Sequence, residues 1–183
     1  MAQNVIDLLT ADHREVTELV QELLGTEDLE RRRELADTII GELVRHSVAE
    51  ETVVYPVIRK ELPDGDQAVE HDTEEHKELE RLMKEMEGCK VGEPYFLDLV
   101  GKLQTVLADH VADEEQEQFP QLRTHLDEER LTSMGAAVEA LKKVAPTRPH
   151  PAAPNDALFH MVVGPGVGMI DRMRDVLTTK THV

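Results

Sequence analysis

The chain has 183 residues, a formal net charge of −18, 3% aromatic residues and no tryptophan, a size that supports one domain with a real core plus a tail. So acidic a surface repels phosphates and argues against nucleic acid or anionic membrane as partners, while the single cysteine, Cys89, rules out an internal disulfide and any thiolate-based zinc or iron–sulfur site. The first residues lack a basic region followed by an apolar run, and no apolar stretch nears the roughly 20 residues that span a bilayer, so a cytoplasmic monomer or dimer is expected.

Leu, Val, Ala, Glu and Arg dominate the patterned segments, and Pro and Gly cut them into helical blocks. The first block runs about 4–24 and stops at Gly25, with Ile6, Leu9, His13, Val16, Val20 and Leu23 along one face. The second runs about 28–61 and breaks at Leu62-Pro63-Asp64-Gly65; its stripe is Leu35, Ile39, Leu43, His46, Glu50, Val53 and Val57. The third runs about 66–87 and ends at Gly88, with Val69, Asp72, His76, Leu79, Met83 and Met86 aligned. The fourth runs about 94–125 and aligns Phe96, Leu99, Leu103, Val106, His110 and Glu114. A shorter helix is expected at about 127–144. Residues 146–183 carry Pro146, Pro149, Pro151, Pro154 and the run Gly164-Pro165-Gly166-Val167-Gly168. They read as a Pro/Gly-rich extension, with a short helix at about 169–178, appended to a bundle formed by residues 1–145. The short connections predict antiparallel neighbours and hence an all-α, up-and-down four-helix bundle with an extra C-terminal helix.

The blocks also repeat. His46 to Glu51 matches His110 to Glu115 at an offset of 64, and the match continues through Tyr55 with Phe119 and Pro56 with Pro120. Asp12-His13 matches Glu75-His76 at an offset of 63. The bundle is therefore a duplicated helical hairpin. One copy carries His13, His46 and Glu50, and the other carries His76, His110 and Glu114.

Residues four apart share a helix face, so His46 with Glu50, and His110 with Glu114, point to a common place. The spacing alone is common, since His71/Glu75 and His125/Glu129 share it. Position on the apolar stripe and equivalence under the repeat set the first two pairs apart. Burying two carboxylates costs several kcal/mol each, of order, without partners, and metal cations remove that penalty. Four imidazoles and two carboxylates suit a pair of iron, manganese or zinc ions, with iron favoured because no thiolate is present and ligand positions are left over.

The pattern His13, His46-x-x-x-Glu50, His76, His110-x-x-x-Glu114, with Glu50-Glu51 to Tyr55-Pro56 and Glu114-Glu115 to Phe119-Pro120, resembles the bacterial hemerythrin-like family, also called the HHE cation-binding domain. The resemblance covers about residues 4–145. It implies two iron ions, oxo- or hydroxo-bridged, with Glu50 and Glu114 bridging. His13 and His46 would then hold one iron, and His76 and His110 the other. It further implies a small oxidant as ligand, namely oxygen, nitric oxide or peroxide. The alternatives are an enzyme turning over hydrogen peroxide or nitric oxide, and a structural or storage bundle for iron or zinc.

Three departures matter. Oxygen-carrying hemerythrins have a fifth His where this chain has Asp72. That residue reads as an extra ligand, as an acceptor for a ligand's hydrogen, or as a charge complementing the helix dipole. It would make the centre more anionic and disfavour reversible oxygen carriage. His71 is the rival fifth ligand, but five residues turn it about 140° away from His76. Glu117, Gln118 and Gln121 replace Val53, Val54 and Val57, so that end of the fourth block either faces solvent or opens the site. Tyr55 is expected near the iron, as a packed rim residue or a hydrogen-bonding one. His125, His150, His160, His182 and Cys89 are assigned no role.

Overall fold

The computed structural model describes residues 3–145 and 147. The expected extension at 146–183, with its short helix and its histidines, lies outside the described residues apart from Thr147.

Helix α1 spans Val5–Gly25, and Asn4 caps it by accepting from the Asp7 N–H at 3.0 Å. Helix α2, Leu29–Ala49, starts on Asp28, which accepts from the Arg31 N–H at 2.9 Å. It continues without a break through a wide turn, Glu50–Val54, into α3, Tyr55–Glu61. Helix α4 spans Gly65–Gly88. Helix α5, Pro94–Asp113, runs through a second wide turn, Glu114–Gln118, into α6, Phe119–His125. Helix α7, Glu128–Lys142, closes the series. Among the described residues these segments make five rods, and no strand is present. Four rods form the bundle. Helix α1 packs on α2, α4 packs on α5, and α7 lies across α1 and α2.

The two wide turns are π-helical, with i→i+5 bonds, and their cause is in the sequence. Tyr55 N–H reaches back to the Glu50 carbonyl, and Phe119 N–H to that of Glu114. Pro56 and Pro120 follow directly. A proline inside a helix lacks its own N–H and clashes with the carbonyl four residues back; one extra residue in the turn relieves both. The insertion also rotates the buried face by one position. Regular periodicity places Val53 and Val57 inward, but Val54, Tyr55 and Ile58 are buried and those two are only half-buried. In α5, ahead of its π turn, Leu107 is buried and Val106 only half-buried, because the inward face runs Leu103, Leu107, His110 and Glu114.

The core divides into two apolar clusters. One fills the loop end of the bundle with residues such as Leu23, Leu43, Met83 and Leu103. The other, with Leu9, Ile58, Val69 and Leu122, is covered by Leu131, Met134 and Val138 of α7. A polar layer lies between them. Among the described residues, no helix is long and apolar enough to cross a membrane.

Helix α7 sits so close to the N-terminus that a Cβ at Gly135 would lie 2.1 Å from the Gln3 carbonyl oxygen. Gly135→Ala is therefore expected to cost about 2 kcal/mol or more, as overpacking against backbone does. Gly101→Ala in α5, where a Cβ meets nothing within 4 Å, should be neutral or stabilising by up to about 1 kcal/mol. Denaturant unfolding of the two variants checks the contrast.

Candidate metal centre

The polar layer is built from one position on each bundle helix. His13 comes from α1, His46 from α2, His76 from α4 and His110 from α5, and Glu50 and Glu114 open the two π turns. All six are buried, with both glutamates at 0% exposure. Ligand atoms of His13, His46, Glu50, His110 and Glu114 lie within 4.8 Å of one another. His76 joins them through its Nε2, 3.4 Å from Glu50 Oε2.

The imidazoles lie in two close pairs. Nε2 of His13 and Nε2 of His46 are 3.1 Å apart. The rings of His76 and His110 have centroids 4.8 Å apart. Each glutamate touches both pairs. Glu50 places Oε1 2.9 Å from His46 and Oε2 3.4 Å from His76 and 3.8 Å from His110. Glu114 places Oε2 3.2 Å from His13 and 3.7 Å from His110.

Four carboxylates surround this layer from outside. Nδ1 of His13 meets Glu115 at 2.8 Å, Nδ1 of His76 meets Glu51 at 2.9 Å, and Nδ1 of His110 meets Glu75 at 3.1 Å. Asp12 stands 3.5 Å from Nδ1 of His46, an ion-pair distance rather than a hydrogen bond, and accepts from Lys142 of α7 at 2.7 Å. A carboxylate on Nδ1 fixes the tautomer and turns Nε2 inward, the arrangement in which imidazole binds metal. Glu51 and Glu115 support the His of the opposite hairpin, whereas Asp12 and Glu75 support the His of their own. Sequence reasoning assigned none of these four a role. Their signal was the repeat, which pairs Asp12 with Glu75 and Glu51 with Glu115.

Tyr55 and Phe119, brought inward by the π turns, stack on His76 and His13 with ring centroids 5.5 and 5.9 Å away. The Tyr55 hydroxyl also lies 3.2 Å from Nε2 of His76. Asp72 is fully buried beside His110 and Glu75, and both of its oxygens accept from Gln118 Nε2, at 3.0 and 2.8 Å. Gln118 is thus a buried partner, while Glu117 and Gln121 face solvent. The structure does not bring His71 to the centre. That ring is 59% exposed and pairs with Asp113 at 3.2 Å.

The electrostatics mark a site built for cations. Burial opposes a charged His46, but the Glu50 carboxylate, with Asp12 and Glu114, outweighs it and raises its pKa to about 9. His76 and His110 are raised against burial by the same carboxylate layer. Burial pushes Glu50 up, but His46, His110 and His76 bring it well below the usual carboxylate range. Burial raises Asp72 to about 6 despite the Gln118 bonds. Burial, then Glu50 and Glu114, push Tyr55 well above its ordinary value, so its hydroxyl keeps its proton.

The donor set fits metal by a direct test. All four oxygens of Glu50 and Glu114, and Nε2 of His110, are buried without a hydrogen-bond partner, because the nearby contacts lack hydrogen-bond geometry. Orphaned buried carboxylates are costly unless a cation meets them. Nitrogens bound to one ion at about 2.1 Å and at right angles stand about 3 Å apart, which matches the separation of the His13 and His46 nitrogens.

A helical bundle with a buried His/Glu cluster defines a class, and comparison with known proteins identifies it. Residues 4–122 match the family described as "Hemerythrin HHE cation binding domain". The chain is 33% identical over 174 residues to an uncharacterised hemerythrin-like protein of Schizosaccharomyces pombe, covering 94% of this chain and 86% of that one. It is 31% identical over 139 residues to a DNA nickase of Nostoc, covering 76% of this chain but 39% of the nickase. A crystal structure of a hemerythrin HHE cation-binding domain-containing protein from Mycobacterium kansasii shares the fold. Its TM-score is 0.68 at 18% identity, over 93% of this chain and 98% of that one. The chain belongs to the hemerythrin HHE cation-binding family and is a His/Glu metal-binding helical domain.

A histidine with a raised pKa stabilises the fold below its unfolded value and loses that contribution as pH rises through the folded one. The metal-free chain should therefore unfold at progressively lower temperature between about pH 6.5 and pH 9, the window that His46 defines. Thermal unfolding by circular dichroism across that range checks this, and a flat or rising midpoint contradicts it.

Proposed function

We propose that this chain is a non-haem di-iron protein that binds or senses a small oxidant, of the class of oxygen, nitric oxide or peroxide. His13 and His46 would hold one iron and His76 and His110 the other, with Glu50 and Glu114 shared between them. One observation carries this reading. Each buried glutamate contacts imidazoles of both pairs, and its oxygens have no other partner. A carboxylate so placed suits two cations better than one. A bound iron pair would supply one-electron redox chemistry to a small oxidant.

The chain's own residues supply the rest. The outer carboxylates hold the imidazoles in the ligating tautomer. The two apolar clusters keep bulk water from the layer. The Tyr55 hydroxyl offers a proton-bearing hydrogen-bond donor beside His76.

That hydroxyl favours a second reading, turnover of nitric oxide or catalase-like turnover of hydrogen peroxide, in which two peroxides give two waters and oxygen and a nearby donor can relay the protons that move between them. Nicking of DNA gains no such support, because the shared segment is a minor part of the nickase and a net charge of −18 repels a phosphate backbone.

Metal analysis with an optical spectrum tests the proposal. About two irons per chain and the absorption bands of an oxo-bridged ferric pair are expected, and both should vanish in Glu50→Ala and Glu114→Ala. Stoichiometric zinc alone contradicts the redox readings. Peroxide consumption that survives iron removal contradicts the enzymatic one.

A further inference from the structure

A cleft of about 300 Å³ opens between the start of α4 and the second π turn. Its rim includes Asp64, His71, Asp113 and Glu117, and its buried floor is Asp72 and Gln118. Four of these six are carboxylates, and no lysine or arginine lines the wall. A cleft lined by one sign of charge concentrates ions of the opposite sign and speeds their arrival.

From the cleft wall at His71, Asp113 and Asp72, ligand atoms lead inward in overlapping steps that Glu75 and His110 complete. At the rim, His71, Glu75 and Asp113 each offer an atom within 4.8 Å of the others. Deeper, Asp72, Glu75 and His110 do the same, and His110 belongs to the central cluster. Glu75 thus joins the outer step to the inner one, and the inner step lies against His110, whose Nδ1 Glu75 holds while its Nε2 faces the centre. At the floor, Gln118 is 5% exposed and its Oε1 has no hydrogen-bond partner, although its Nε2 is held by Asp72. A buried, unpartnered carbonyl oxygen is a ready donor for a passing cation. On the other sides Asp12, Glu51 and Glu115 each stand against one histidine, Asp12 being also tied to Lys142, and among the described residues none of them belongs to an outer group of converging ligand atoms.

We propose that this cleft is the entry route for divalent metal, ferrous ion in particular. The ion would be captured by His71, Glu75 and Asp113 and passed across Asp72 and Gln118, past His110, into the centre. This rests on the reading of the buried layer as a metal centre. As a plain surface ion pair, His71 with Asp113 would contribute little to anything; as a capture step it sets the rate of loading and leaves the loaded state unchanged.

The test uses the metal-free full chain mixed with Co2+ in a stopped-flow instrument, read by the visible absorption that appears as the ion takes protein ligands. The double variant His71→Ala/Asp113→Asn should load about tenfold more slowly, with final stoichiometry and spectrum as in wild type. Glu18→Gln, an equal charge change on the exposed face of α1, should load at the wild-type rate. Wild-type loading should also slow as salt rises. Full uptake at an unchanged rate overturns the route alone, as does a double variant that ends with fewer ions bound. Wild-type chain that takes up no Co2+ overturns the centre and the route together.

Discussion

Two carboxylates, Glu50 and Glu114, lie at 0% exposure with all four oxygens lacking a hydrogen-bond partner, and the rest of the structure is arranged around that fact. Left bare, each would destabilise the fold by several kcal/mol, of order. In the metal-free chain a proton on His46 answers them in part, the carboxylates raising its pKa to about 9. Bound metal answers them better, because the glutamates already lie against the imidazoles that would share it. The π turns that Pro56 and Pro120 enforce begin at these two glutamates, so the backbone irregularity and the chemistry share one origin.

The duplicated hairpin has kept its symmetry where ligands are concerned and lost it around them. Tyr55 faces His76 where Phe119 faces His13. Asp72 stands where the other copy has Leu9, and Gln118 where it has Val54. In each case the polar member lies toward His76 and His110, and there the acidic cleft opens. The side toward His76 and His110 carries a hydroxyl, a carboxyl and an amide where the repeat gives the other side a phenyl ring, a leucine and a valine.

The bundle, its five rods and the convergence of the six buried side chains were legible in the sequence, because period, punctuation and repeat all agreed. The shift of the buried face after Glu50 was not, since a 3.6-residue period has no place for an inserted residue. The prolines six positions after each glutamate were the available sign. The outer carboxylates were hidden for another reason. Asp12, Glu51, Glu75 and Glu115 are half-buried among 38 acidic residues, most of them solvated, and only their pairing under the repeat sets them apart. Gln118 looked like part of a solvent-facing stretch. Its burial follows from the π turn, which swings it toward Asp72.

The central claim is that metal relieves the burial of Glu50 and Glu114. The most direct measurement is the unfolding midpoint of wild type and of Glu50→Gln/Glu114→Gln, each with and without bound metal. A ligand that binds only the folded state raises its stability. Metal removal should lower the wild-type midpoint substantially and leave that of the double variant unmoved. A wild-type midpoint indifferent to metal, or a shift that persists in the double variant, would contradict the account.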